Sequence, residues 1–322
     1  MNTNKYKIGV IGLGPVGLML AHYFRKAGCE VVLCGRSKNQ TDLIKSEGVH
    51  LAGIRDERSQ FEVVCSTVKE MMRTNVDIII CSVKAYQIES ILHDINLYNK
   101  NYRLMIVAAQ NGIGIADKYS FLFDLSRIFR FVINFAGNMN APNVVNTTFI
   151  IPPNYIASVD DTRSDVAAWL AEALSSVELD TSVVDSFEIT KEVWHKTILN
   201  ASLSPLCAIS KLTMREAMTI PDTNEIIERM IMEAVEVAKA EDIQFEKNFI
   251  KICLRYLKKA GNHFPSLAVD LMNEKQTEIE FINGQIVGYG RKHYIRTPLN
   301  LTFTNMIRAI TDKNLGRNTA SL

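Results

Sequence analysis

Apolar residues in the first half of the chain fall into short runs separated by amphipathic stretches. Tyr6 to Ile11 is one such run, followed by Gly12-Leu-Gly-Pro-Val-Gly17 and a helix-like segment to Ala27. Gly28 suits the left-handed residue that closes a helix, and Val31-Val-Leu-Cys34 reads as the next strand. Further strand-like runs are Phe61–Val64, Val76–Ser82, Leu104–Ala108 and Ile128–Ile133, with helical segments around Gln87–Leu97 and Ile113–Phe123. This alternation predicts a doubly wound parallel sheet with helices on both faces. Thr147–Ile151 and Tyr155–Val159, joined by Pro152-Pro-Asn, read as a hairpin at the sheet edge. Asp161–Leu174 is helical, and Val177–Val184 is the last strand-like run.

Past Asp185 the strand signals fade. Phe187 to Ile209, Asp222–Ala240, Glu246–Lys259 and the long segment from Ser266 all carry helical periodicity. The expectation is therefore an α/β domain over 1–185 and an all-α domain over 186–322. The polar end, Asn314 to Leu322, reads as frayed. The apolar face within Ile226–Val237 serves either the core or a homodimer contact.

One helical stretch has a pattern of its own. Across Glu192 to Pro205, Val193, Trp194, Ile198, Leu203 and Leu206 form apolar cover. Lys196, Asn200 and Ser204 recur every fourth residue, which at about 100° per residue makes one slowly drifting polar stripe. Pro205 interrupts it, removing a backbone donor and disfavouring helical geometry at Ser204. His195, about 100° around the helix from Lys196, points away from the stripe and reads as packing or surface.

Composition narrows the function classes. A chain of 322 residues suggests two domains, and 47% apolar with 22% charged residues fits a soluble globular protein. A net charge of +1 gives no large field to attract nucleic acid or an anionic membrane. No apolar run could span a bilayer, and Met1-Asn-Thr-Asn-Lys5 lacks the apolar core of a signal peptide. Six cysteines show neither CxxC pairs nor zinc spacing, so buried free thiols, no metal and a cytoplasmic location are expected.

Gly12-x-Gly14-x-x-Gly17 follows a strand, opens a helix and precedes another strand, the context of a Rossmann-type dinucleotide site. Gly12 allows the tight turn, Gly14 the close approach of a pyrophosphate, and Gly17 close helix–strand packing. The second strand ends in Gly35-Arg36-Ser37-Lys38, where NAD enzymes carry an acid for the ribose. Glu30 lies at the wrong end of that strand. Arg36 and Lys38 suit a 2′-phosphate, so NADP(H) is the expected cofactor. Lys84 and Gln87, after the Val76–Ser82 strand, and Asn111, after the Leu104–Ala108 strand, share the crevice-side strand ends where ligands bind.

Three more segments complete the order: Pro265-Ser266-Leu-Ala-Val-Asp270, Gln276-Thr-Glu278-Ile-Glu-Phe-Ile-Asn-Gly284, and Thr297-Pro298-Leu-Asn300. With the Gly fingerprint and the Lys196–x3–Asn200 pair before Pro205-Leu, the chain resembles the ketopantoate reductase (2-dehydropantoate 2-reductase) family over nearly its whole length. The resemblance implies a Rossmann domain joined to a helical domain, with the site in the cleft between them, and NADPH-dependent reduction of a 2-keto acid in pantothenate synthesis. By the same resemblance Lys196 matches the catalytic lysine and Glu278 its acidic partner. Asn200 and Ser266 match substrate-binding positions, Asn111 the Asn-Gly loop, Lys84 and Gln87 the Lys-x-x-Gln loop, and Arg36 the 2′-phosphate arginine. Ser204 departs from the family, which usually has Asn before the Pro-Leu; a serine lacks the amide's paired donor and acceptor. Two alternatives stand beside the small-molecule 2-keto acid reductase. One is a related reductase for a different keto or hydroxy acid; the other is a non-catalytic NADP-binding redox sensor.

Overall fold

Short runs of aliphatic residues form strands where both sheet faces are covered, and the computed structural model, which describes residues 6–317, follows that logic. Its strands are β1 (Ile8–Ile11), β2 (Val31–Cys34), β3 (Val49–Gly53), β4 (Glu57–Ser59), β5 (Val63–Cys65), β6 (Ile78–Cys81), β7 (Met105–Ala108), β8 (Ile128–Val132), β9 (Phe135–Ala141), β10 (Val144–Ile150), β11 (Asn154–Ser158) and β12 (Thr181–Val183). Helices α1 (Pro15–Lys26), α2 (Lys38–Glu47), α3 (Val68–Met72), α4 (Ile88–Tyr98), α5 (Ile115–Tyr119) and α6 (Ser164–Ser175) alternate with them. The chain then continues as α7 (Ser186–Ser210), α8 (Met214–Thr219), α9 (Pro221–Ala240), α10 (Phe249–Leu257), α11 (Ser266–Met272), α12 (Asn283–Lys292) and α13 (Pro298–Asn314).

Two units divide the chain. The first runs to Gln110 and resumes at Ile115 through Thr190; the second holds Asn111–Gly114 and everything from Lys191 onward. The first unit is built on an eight-stranded sheet in the order β12-β11-β8-β7-β6-β1-β2-β5. β1, β2, β6, β7 and β8 have every residue buried. All neighbours run parallel except β11 against β8. The order reverses direction at β1, the switch point beside which ligands bind in open α/β sheets.

The expected hairpin of Thr147–Ile151 with Tyr155–Val159 is not formed. β10 pairs with β9 and β3 in a separate four-stranded sheet, order β4-β3-β10-β9, while β11 joins the main sheet. A proline pair holds φ near −65° and cannot supply the positive φ of a tight hairpin turn. The strand expected over Val177–Val184 shrinks to Thr181–Val183.

In the second unit, α9 buries Ile227, Met230, Ile231, Ala234 and Val237. That spacing is one helical stripe, and it lies in the unit's own core. All six cysteines are free and buried, and burial pushes the thiols of Cys34, Cys207 and Cys253 up to about 12. Most of the tail expected to fray, residues 318–322, lies outside the described residues; Asn314 closes α13. Among the described residues, no helix is long and apolar enough to cross a membrane.

Candidate active site

The glycine turn of the first unit is built around two absences of a side chain. Gly12 has φ +98°, and a Cβ there would lie 2.7 Å from the Val83 backbone nitrogen. A Cβ on Gly17 would fall 1.9 Å from the Gly12 carbonyl oxygen and 2.5 Å from Ser82 Oγ. Gly14 differs: a Cβ there meets nothing within 4 Å. Gly14 is also the N-cap of α1, with no side-chain cap, and Pro15 follows. Uncapped N–H groups beside open space are what a phosphate requires, so these residues fit a dinucleotide. The turn is braced by residues that sequence reasoning passed over. Ser82 Oγ donates to the Gly12 carbonyl at 2.8 Å, and Gln40 Nε2 donates to the Leu13 carbonyl at 2.8 Å.

At the end of β2, Arg36 and Lys38 are exposed, with Ser37 as the N-cap of α2, its side chain accepting from the Gln40 N–H. Glu30 is engaged at the opposite end of the strand by Lys7, 2.5 Å away. Lys84 and Gln87 are half-buried, Lys84 capping and Gln87 closing a 3-10 turn over Ala85–Gln87, shortly after β6.

The β7 end is fixed by a buried arginine. Arg130, on β8, donates through Nη1 to the carbonyls of Ala108 and Phe131 at 2.8 and 3.2 Å, and through Nη2 to that of Gln110 at 2.6 Å. Burial pulls its guanidinium down to about 10. The Gln110 side chain reaches back to the Cys81 carbonyl at 2.9 Å and accepts from Tyr119 Oη at 3.2 Å. Asn111 follows immediately and belongs to the second unit. There the Ile113 N–H donates to the Phe281 carbonyl at 3.2 Å, and the Phe281 N–H donates to that of Glu278 at 3.0 Å. The structure thus brings the Asn111 loop onto the turn that carries Glu278.

Helix α7 carries Lys196 and Asn200 half-buried and Ser204 buried, 5% exposed. His195 packs edge-on against Phe249, ring centroids 5.1 Å apart, and Nδ1 lies 3.6 Å from Glu192. Its direction away from the stripe is the one its azimuth predicts. The helix expected over Phe187–Ile209 is α7, which runs from Ser186 to Ser210 with Pro205 inside it. Pro205 has no N–H to give the Ala201 carbonyl four residues back. The Asn283 side-chain amide donates to that carbonyl instead, at 2.9 Å. Glu278 is buried, 8% exposed, just before the 3-10 turn Ile279–Phe281. Ser266 is exposed and opens α11 directly after Pro265.

Comparison with known proteins agrees with this architecture. The family model described as ketopantoate reductase PanE/ApbA matches residues 8–160, and its C-terminal counterpart matches residues 188–311. The 2-dehydropantoate 2-reductase of Streptococcus pyogenes is 24% identical over 303 residues, covering 93% of this chain and 96% of its own. That of Pyrococcus abyssi is 24% identical over 320 residues, covering 94% and 97%. Among solved structures, a ketopantoate reductase from Ralstonia eutropha superposes with a TM-score of 0.85 at 23% identity, over 96% of this chain and 99% of its own. D-mandelate dehydrogenase in a ternary structure with NADH and anilino(oxo)acetate gives 0.84 at 23%, with the same coverage. The dimeric ketopantoate reductase of Staphylococcus aureus gives 0.78 at 18%, again over 96% and 99%. With both family models matched in order along the chain, this protein belongs to the ketopantoate reductase family, a family of oxidoreductases.

Proposed function

We propose that this chain reduces a 2-keto acid to the 2-hydroxy acid with NADPH, with 2-dehydropantoate as substrate and pantoate as product. The observation that carries the reading is the polar stripe on α7. Lys196, Asn200 and Ser204 go from half-buried to buried along one helix face, in a unit that also buries the Glu278 carboxylate. A solvated surface helix would leave such a stripe open to water.

NADPH, when bound, supplies the hydride that reaches the keto carbon. Lys196 as an ammonium polarises the carbonyl and gives its proton to the developing alkoxide oxygen. Glu278 supplies the carboxylate that accompanies that cation. Asn200, Ser204 and Ser266 hold the substrate's carboxylate or hydroxyl groups, and Asn111 orients substrate or nicotinamide from its loop. Gly12, Gly14 and Gly17 cradle the pyrophosphate; Lys84 and Gln87 reach the cofactor's phosphates or ribose. Arg36 and Lys38 take the 2′-phosphate, and the absence of an acid at the end of β2 favours NADPH over NADH. A homodimer is part of this reading, supported by the dimeric Staphylococcus aureus relative.

A second reading keeps the chemistry and changes the acid. Ser204 stands where the family usually has Asn, and the D-mandelate dehydrogenase likeness shows the same fold serving another hydroxy acid. Steady-state rates with 2-dehydropantoate and a panel of 2-keto acids, each with NADPH and NADH, decide between them. The first reading expects the highest kcat/KM for 2-dehydropantoate with NADPH. A preference of about ten-fold for another acid, a 1.4 kcal/mol difference, selects the second.

A further inference from the structure

Within the second unit, four helices are joined by a chain of buried amides. Glu233 on α9 accepts from the backbone N–H groups of Leu299 and Asn300 at 2.9 and 3.0 Å, capping the first turn of α13. The same carboxylate accepts from Asn300 Nδ2 at 2.8 Å. That contact fixes the Asn300 amide, so its Oδ1 turns to Asn283 Nδ2, 3.0 Å away. Asn283, at the first position of α12 and fully buried, spends its remaining donor on the Ala201 carbonyl. Both faces that the Asn283 amine meets are acceptors, so the side chain has one orientation that satisfies them.

The Ala201 carbonyl is the one that Pro205 orphans. A proline ring inside a helix also pushes against the carbonyl four residues before it, so this position is where α7 would kink. Ala201 lies between Asn200 and Ser204. The direction of the helix axis at that point therefore sets how Ser204 is aimed relative to Asn200 and Lys196. We infer that Asn283 is a positioning residue: its amide replaces the hydrogen bond lost at Pro205 and holds the three members of the α7 stripe in one alignment for the substrate. Asn283 acts through α7 and touches no reacting atom. The inference rests on the α7 stripe being the substrate site proposed above.

The test is a cycle between Asn283→Leu, which keeps the branched shape and deletes the donor, and Pro205→Ala, which restores a backbone N–H to Ala201. Keto acid kinetics, NADPH affinity and thermal midpoint are measured on the full chain for both single variants and the double. Asn283→Leu leaves both the Ala201 carbonyl and Asn300 Oδ1 without their donor, of which Pro205→Ala can restore only the first. It is expected to lower kcat/KM for the keto acid by about ten-fold or more, the scale of orphaning the Ala201 carbonyl alone, with the Kd for NADPH unchanged. In the Pro205→Ala background the same substitution should cost far less, recovering roughly half or more of the loss on a logarithmic scale. Equal losses in both backgrounds, or a parallel loss of NADPH affinity, overturn the inference. If Asn283→Leu does not fold alone, a folded and active double variant supports the inference and an unfolded one overturns it. Absence of keto acid turnover in the unaltered chain overturns the reductase reading itself, and is seen before any variant is compared.

Discussion

Arg130 Nη2 grips the Gln110 carbonyl at 2.6 Å, one residue before Asn111. The same guanidinium holds the Ala108 and Phe131 carbonyls, so one buried cation pins the end of β7 from which the Asn111 loop departs. Replacing it with methionine keeps the stem and orphans these acceptors. Arg130→Met should lower stability by roughly 3 kcal/mol or more, since each buried acceptor left unmet costs about 1–3 kcal/mol. Urea unfolding measures this, and an unchanged midpoint would show that the clamp contributes nothing.

Gly14 and Gly17 separate packing from ligand approach. Gly17→Ala drives a methyl into the Gly12 carbonyl, and overpacking of this kind costs roughly 1–3 kcal/mol at least. Gly14→Ala adds a methyl to open space at a φ of −81°, which any residue adopts. Gly14→Ala should therefore keep the thermal midpoint and weaken NADPH binding, whereas Gly17→Ala should lose both. Calorimetry with a binding titration checks the pair. A Gly14→Ala protein with full affinity would remove the cofactor from that turn.

Lys196→Ala removes the proposed acid and leaves the glycine turn intact. Its kcat should fall by about 10²–10⁴, the usual worth of a positioned general acid, with Kd for NADPH unaltered. Single-turnover oxidation of NADPH in the presence of keto acid reads the chemical step directly. Full turnover in the variant would take Lys196 out of the reaction.

His22 gives a pH signature independent of catalysis. Burial pulls its imidazole below the usual 6.5, outweighing the pull of Glu57 in the other direction. Its ring lies between Ser59 Oγ, 2.8 Å from Nδ1, and Glu57 Oε2, 3.3 Å from Nε2, with Lys26 on the same carboxylate. Burial also works against the Glu57 charge, but bonds from Lys26 and His22 hold that carboxyl below its usual 4.5, so it stays ionised while His22 titrates. As pH drops below 6.5 the unfolded chain binds the proton before the folded one, and stability declines until the folded pKa is passed. The thermal midpoint should thus fall between roughly pH 7.5 and 5.5 by more in the unaltered protein than in His22→Gln. Identical slopes would assign the decline elsewhere.

The strand–turn–helix at Gly12–Gly17 and the stripe on α7 are legible in sequence because both depend on spacing that local geometry dictates. The second sheet is not. Val144–Ile150 alternates like a strand, but nothing in its own residues selects β3 and β9 as partners over β11. Arg130 sits in Ile128-Phe-Arg-Phe-Val132, where a lone charge suggests a solvent-facing position; only the tertiary fold shows carbonyls converging on it. Asn283 looks like an ordinary polar residue opening a helix, and its partner lies 82 positions earlier in the chain. What stands in for the N–H that Pro205 lacks was hidden for the same reason, since the donor to the Ala201 carbonyl comes from another helix.

The Asn111–Gly114 segment makes the helical unit discontinuous in sequence. Its Ile113 N–H fills the Phe281 carbonyl, and a Cβ on Gly112, at φ +109°, would come within 2.3 Å of that same oxygen. A fragment beginning at Lys191 lacks this peptide, and a chimera that exchanges only the C-terminal half between relatives pairs a foreign loop with the native Phe281 turn. Exchanging the helical unit of this chain therefore means moving two pieces of gene together, one of them only four codons long.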